Sequence, residues 1–254
     1  MGAVLMVILK QQSEIEKIRA SNGIVAEILA ELKEAVQEGI TTLDLDRISE
    51  ELVLKKGAKP AFKGYRGYPF SLCASINEQV IHGLPSQRVL TEGDIVGLDF
   101  GVYYHGYYGD AALTVPVGRI SKEASMLLKA TEESLDRAIR EAKVGNRLGD
   151  ISAAVQNHVE AVGFSVVRDF VGHGIGRNLH EDPQIPNYGT KGRGAALKVG
   201  MVLAIEPMVN AGTYKVRMLT DGWTAVTADG RLSAHFEHTI AITDHGPEIL
   251  SRLN

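Results

Sequence analysis

Gly93-Asp94-Ile95-Val96-Gly97-Leu98-Asp99 and Gly200-Met201-Val202-Leu203-Ala204-Ile205-Glu206 are near-copies of one phrase, a glycine followed six residues later by an acid that ends an apolar run. Burying an unpartnered polar group costs roughly 2 to 7 kcal/mol, and a charge costs more. Each acid therefore calls for something cationic opposite it. The offset between the two phrases recurs elsewhere. Ser13-Glu14-Ile15-Glu16 fits a capping box, and Ile15, Ile18, Ile24, Val25, Ile28, Leu29 and Leu32 follow at helical spacing, which predicts a helix over about 13–38 that stops at Gly39. Thr42 or Asp44 can cap a second helix carrying Leu45, Ile48, Leu52 and Val53 before Gly57. Ser121 opens a segment with Met126, Leu127, Ala130, Leu135 and Ile139 that Gly145 closes, and a further helix runs from about 149 to Gly163. The pairs Gly39 and Gly145, Gly57 and Gly163, and Gly93 and Gly200 are 106, 106 and 107 positions apart. The chain reads as one domain of two halves, about 1–118 and 119–254, each giving an acid to one site on a pseudo-two-fold axis.

The pattern from Asp94 to Val117 suggests a hairpin turning near His105-Gly106, which brings Asp99 and Asp110 roughly opposite each other on adjacent strands. Asp229-Gly230 is a second hairpin signal, and folding the chain there sets Trp223 beside Phe236 and Glu237. His173 lies in Val171-Gly172-His173-Gly174-Ile175-Gly176, where glycines leave room for close backbone approach. Taken singly, the acids read equally well as solvated or salt-bridged, and the histidine as a loop residue. Together, Asp99, Asp110, His173, Glu206 and Glu237 form a set of four carboxylates and one imidazole with a formal charge that two divalent ions would cancel, and a two-metal hydrolase is one use of such a set.

The bulk composition sets the outer bounds. The chain has 254 residues, 44% hydrophobic and 23% charged, which is ordinary for a globular protein. A net charge of −4 supplies no basic field, so nucleic acid is excluded as the main ligand. One cysteine, Cys73, cannot form an internal disulfide and fits a reducing compartment. The opening MGAVLMVILK has no basic n-region and is too short to span a membrane, so it is expected to be a strand or lead-in segment of a cytoplasmic protein.

The phrases Ile76-Asn77-Glu78 with His82-Gly83, Leu98-Asp99, Gly109-Asp110, Gly172-His173-Gly174-Ile175-Gly176, His180-Glu181, Ala204-Ile205-Glu206-Pro207 and Phe236-Glu237-His238-Thr239 resemble those of the methionine aminopeptidases, type I, over essentially the whole chain. Glu206 and Glu237 are 31 positions apart, without room for the helical insertion of the type II enzymes. The resemblance implies an α+β pita-bread fold, a curved antiparallel sheet with helices outside, and a bare bacterial-style catalytic domain. It implies removal of the initiator methionine from nascent polypeptides when the next residue is small, by a monomer at the ribosome, with two divalent ions of Co, Mn, Fe(II) or Zn. Asp99 would bind one ion, Asp110 and Glu237 would bridge the two, and His173 and Glu206 would complete the other. Glu206 resembles the general base, and His82 and His180 the pair that contacts the substrate amide and tetrahedral intermediate.

Tyr65, Tyr68, Cys73 and Trp223 match the family's methionine pocket, with Phe62 close by. Aromatic walls suit a thioether, each contact contributing about 0.3 to 1.5 kcal/mol. Three positions depart from the family pattern: Leu179 stands where many members have Phe, Arg66 where many have His, and Gly101 where a small polar residue is frequent. Two rivals remain at this level. A proline-specific aminopeptidase or prolidase of the same fold would share all five ligands, and a non-catalytic binding protein would tend to have lost some of them.

Overall fold

The computed structural model describes residues 7–253, so most of the expected N-terminal lead-in strand lies outside the described residues. In chain order, α1 (Gln12–Ala35) and α2 (Thr42–Lys55) precede β1 (Lys59–Pro60), β2 (Cys73–Ile76), β3 (Gln79–Ile81) and the long hairpin of β4 (Ile95–Tyr104) and β5 (Tyr107–Pro116). Next come α3 (Lys122–Glu141) and α4 (Leu148–Ala161), then β6 (Ser165–Val166), β7 (Val171–Gly174), β8 (Glu181–Pro186), β9 (Val202–Ile205) and β10 (Met208–Asn210). The chain ends with β11 (Val216–Met218), β12 (Ala225–Thr227), β13 (Ser233–His235), β14 (Glu237–Thr243) and β15 (Gly246–Ile249).

The main sheet runs β1-β4-β5-β14-β9-β7-β8, with β2 added on β4 and β15 on β14, and its pairs are antiparallel. The β4-β5 pair meets the β14-β9 pair where Glu237 and His238 face Ala112 and Ala111. Helices cover the other face, one pair to each side. Val96, Leu98, Phe100 and Val102 of β4 pack with Val25, Ile28 and Leu32 of α1 and Leu45 and Val53 of α2. Leu203 and Ile205 of β9 and Ile240 and Ile242 of β14 pack with Leu127, Leu135 and Ile139 of α3 and Ile151 and Val155 of α4. This is the α+β pita-bread architecture, and its physical basis is the two-residue period of a strand. Val96 and Leu98 of one run and Leu203 and Ile205 of the other face the helices, so Asp99 faces the other way, and Glu206, just past the end of β9, continues the alternation of Ala204.

Several local expectations need correction. α1 ends at Ala35 rather than near 38, with Val36 already extended. Its start is also shifted: Glu14, not Glu16, reaches back to accept the N–H of the N-cap Gln11 at 3.1 Å. The second helix is capped by Thr41 rather than Thr42 or Asp44, with Asp44 as its reciprocal partner. Ser121 caps α3 as expected, but Met126 is exposed rather than on the buried face. The turn at His105-Gly106 has positive φ at both residues and closes the β4-β5 hairpin in the expected place.

Asp229-Gly230 does not close a hairpin. β12 pairs with β11 and β3, whereas β13 pairs with β10. The physical reason is competition from other partners: the Asp229 carboxylate accepts the N–H groups of Thr213 and Arg231, and the Ser233 N–H donates to the Asn77 carbonyl. The chain is thereby handed to a different sheet. Phe236 packs with the α3 and α4 core, so it does not sit beside Trp223.

Candidate active site

Strand register gathers the five candidate ligands. Asp99 of β4 and Glu237 of β14 both face Ala112 of β5, and Asp110 lies two residues along β5 on the same side. His173 of β7 faces Ala204 of β9, two residues before Glu206. All five line one cleft of about 150 Å³, together with Phe62, Tyr65, Arg66, Tyr68, Cys73, His82, Leu179, His180 and Trp223. Every residue singled out in the sequence for ligation, catalysis or substrate contact is thus brought to one place, and Arg66 joins them.

The acids are not satisfied by hydrogen bonds. Asp99 Oδ1, Asp110 Oδ1 and Glu237 Oε1 are buried with no partner among the described residues, and donor atoms of Asp110, His173 and Glu237 lie within 4.8 Å of one another. Burial, reinforced by Glu206, pushes the Asp99 carboxyl up to about 7; burial likewise brings Glu206 to about 7. Asp110 and Glu237 are pushed well above the usual carboxylate range by burial and by the other acids. Such a set accommodates divalent cations: orphaned hard oxygens, mutual repulsion, and one imidazole. His173 Nδ1 lies 2.9 Å from the Gly174 carbonyl. A carbonyl only accepts, so the proton is on Nδ1 and the Nε2 lone pair faces the carboxylates, 3.5 Å from Glu206 Oε1. The flanking glycines admit backbone: a Cβ on Gly172 would lie 2.5 Å from the Ala204 oxygen, and one on Gly174 2.3 Å from the Asp182 oxygen.

Beside the acids is an apolar slot. Cys73 is directly opposite Asp99 in the β2-β4 register. Trp223 stands edge-on to Tyr68 with ring centroids 5.1 Å apart, and the Tyr68 hydroxyl lies 3.0 Å from the Leu72 carbonyl and 3.1 Å from that of Gly83, so it is anchored. Trp223 therefore reaches the cleft through the loop before β12, not through the expected hairpin. Its turn is held by the Asp221 carboxylate, which accepts the N–H groups of Trp223 and Thr224. Leu179 is 1% exposed and packs with Phe62, Tyr68 and Cys73. Gly101 has a steric reason: a Cβ there would come within 2.7 Å of the Phe62 ring. Arg66 lies over the Tyr65 ring at 5.4 Å.

Two histidines flank the cleft. His180 Nδ1 is 3.0 Å from the Tyr65 hydroxyl, and its ring stacks on Tyr65 and lies 4.3 Å from the His173 ring. His82, with positive φ, packs edge-on against Phe170. Desolvation in the cleft depresses His82 to about 4 and, with His173 and Arg66 adding repulsion, lowers His180 to about 3 although one side of that ring is open to solvent.

Two supporting residues escaped the sequence reading. Asn22 of α1 is fully buried, donates to the Ile18 carbonyl and accepts the Asp110 N–H at 3.2 Å, tying the helix to a candidate ligand. The signal available was a polar residue inside the buried stripe of α1. His235 places Nε2 3.6 Å from Glu206 Oε2, and burial lowers its pKa. No local pattern in the sequence sets it apart.

Comparison with known proteins agrees with this geometry. Metallopeptidase family M24 matches residues 16–244. A methionine aminopeptidase of Clostridium perfringens is 58% identical over 97% of this chain and 99% of its own length. The crystal structure of methionine aminopeptidase from Thermotoga maritima superposes with a TM-score of 0.96 at 51% identity, covering 98% of this chain and 100% of that one. A prolidase from Pyrococcus furiosus shares the fold at a TM-score of 0.78 and 25% identity, and the match covers 97% of this chain and 66% of the prolidase.

Proposed function

The chain belongs to metallopeptidase family M24 and, within it, to the methionine aminopeptidases, and from that premise we propose that it removes the initiator methionine from nascent polypeptides whose second residue is small. The observation that carries the reading is the cleft itself, where three orphaned carboxylate oxygens stand beside an apolar, aromatic-walled slot. Asp99, Asp110, His173, Glu206 and Glu237 would hold two divalent ions, whose charge offsets that of four carboxylates. Bound there, such ions lower the pKa of water and steady a developing oxyanion, and mixed carboxylate and imidazole ligation suits Co(II), Mn(II), Fe(II) or Zn(II).

The remaining steps belong to side chains. The methionine side chain enters the slot between Phe62, Tyr65, Tyr68, Cys73, Leu179 and Trp223, which excludes water from the thioether. Glu206 takes a proton from the attacking water and returns it to the leaving amine. His180 Nδ1 lies 3.0 Å from the Tyr65 hydroxyl, and with that hydroxyl as donor the neutral ring would carry its proton on Nε2 and donate it as a hydrogen bond to the scissile carbonyl oxygen. His82 contacts the substrate amide. On this reading one catalytic domain, with halves of about 1–118 and 119–254, acts as a monomer on N-termini emerging from the ribosome in the cytoplasm. Among the described residues no helix is long and apolar enough to cross a membrane.

A peptide panel tests the reading. Met-Ala-Ser and Met-Gly-Ser should release methionine, while Met-Lys-Ser, Met-Leu-Ser and Ala-Pro-Ser should remain intact. Comparable cleavage of Met-Lys-Ser would indicate a broad aminopeptidase, and preferential cleavage of Ala-Pro-Ser a proline-specific one.

A further inference from the structure

Leu179 and His180 sit on the short connection between β7 and β8, and such a loop needs fixing if its side chains are to act within a fraction of an ångström. The fixing comes from the other end of the chain. Lys10, just before α1, donates its backbone N–H to the Gly200 carbonyl at 2.7 Å and sends its side chain across Gly176. A Cβ on Gly176 would lie 2.4 Å from Lys10 Cε, so that glycine leaves the channel in which the lysine lies. The ammonium ends on Glu181, Nζ to Oε2 2.5 Å, and the two side chains are only 3% and 5% exposed. The other Glu181 oxygen accepts the Asn178 N–H at 3.0 Å. One carboxylate thus closes the loop on itself and ties it to Lys10.

A second tie holds the other side of the loop. Glu14, in the first turn of α1, accepts the Tyr107 hydroxyl at 2.8 Å and Arg177 Nη2 at 3.1 Å. Leu179 and His180 therefore lie between two ion pairs, Arg177 to Glu14 and Glu181 to Lys10, both reaching to residues 10–14. The second is buried, where loss of one partner leaves an uncompensated charge.

We propose that Lys10 is a positioning residue for the reaction: through Glu181 it holds the loop that presents His180 to the scissile bond and Leu179 to the methionine slot. The inference rests on the assignment of His180 above, and the experiment separates the two. Lys10→Met and Glu181→Gln would each be made in the wild-type and His180→Ala backgrounds, and kcat and KM measured for Met-Ala-Ser on the metal-loaded enzyme, with metal content determined for every variant. Each substitution should lower kcat about tenfold in the wild type, as small misplacements of catalytic groups do. In the His180→Ala background the further loss should be less than about twofold, because coupled residues are not additive. Metal content should equal that of the wild type throughout. Should Lys10→Met fail to fold, the near-isosteric Glu181→Gln, which can still accept the Asn178 N–H, decides alone. Equal losses in both backgrounds, an unchanged kcat, or a loss that tracks metal content would overturn the proposal. Full activity of His180→Ala would remove the role of His180 and this inference with it, whereas a damaged His180→Ala with additive losses removes the inference alone.

Discussion

Removing the metal should make this protein sensitive to pH in a calculable way. Asp99 and Glu206 have carboxyls pushed up to about 7 by burial, against ordinary values of 3.8 and 4.5. Unfolded, both are ionised by pH 5; folded and metal-free, both keep their protons until about 7. In that window the folded protein binds protons that the unfolded chain has released, so its stability falls as pH rises. At 1.36 kcal/mol per pH unit, these two groups together withdraw about 5 kcal/mol between pH 5 and 7, and Asp110 and Glu237, pushed up by burial and by the other acids, add to the loss in the same direction. His82, His180 and His238 are depressed to about 4, 3 and 4 by burial, and below their ordinary pKa they act in the opposite direction. The quantity to follow is therefore the gap in Tm between saturated and chelated protein, from which the contribution of a group outside the cleft, such as His238, cancels. For a domain of this size 5 kcal/mol corresponds to roughly 10 to 20 °C, and the gap should widen by at least that much from pH 5 to 7 in scanning calorimetry. A gap independent of pH would refute the placing of uncompensated carboxyls at the centre of the fold.

Other substitutions probe the roles separately. Glu206→Gln keeps the volume but removes the base, so turnover on Met-Ala-Ser should fall by orders of magnitude with the circular dichroism spectrum unchanged; a near-normal rate would exclude Glu206 from proton transfer. Leu179→Phe should narrow the slot and improve discrimination of methionine over leucine by about 1 kcal/mol, the scale of a single packing contact; an unchanged ratio of kcat/KM values would show that the side chain does not contact substrate. Asn22→Ala leaves the Asp110 N–H without its acceptor, and the cost should be about 1 to 3 kcal/mol in urea denaturation; no loss would mean that the bond contributes nothing to holding β5.

Much of this architecture was legible because the relevant signals are local and periodic. The two glycine-to-acid phrases mark matching strands by their shared offset, and the two-residue period of a strand then sets Leu98 and Asp99 on opposite faces. The His105-Gly106 turn was legible because both residues tolerate positive φ. What failed was the choice between competing partners. Asp229-Gly230 has hairpin chemistry, yet Asp229 is used to hold Thr213, and β12 and β13 leave for different sheets. No local pattern records that Ser233 donates to Asn77, more than 150 positions away. Asn22 and the pair of Lys10 and Glu181 were missed for the same reason: their meaning lies in a distant partner. The departures at Gly101 and Leu179 could be seen in the sequence, but the approach of the Phe62 ring to Gly101 is set by the tertiary fold.

The central claim is that this cleft holds divalent cations and hydrolyses methionyl peptides only with them. The most direct measurement is methionine release from Met-Ala-Ser by protein stripped with chelator and then titrated with Mn(II) or Co(II), with bound metal counted at each step. The account predicts no release from the stripped protein and recovery that follows occupancy of the cleft by the added ion. Full release by protein free of bound metal would contradict it.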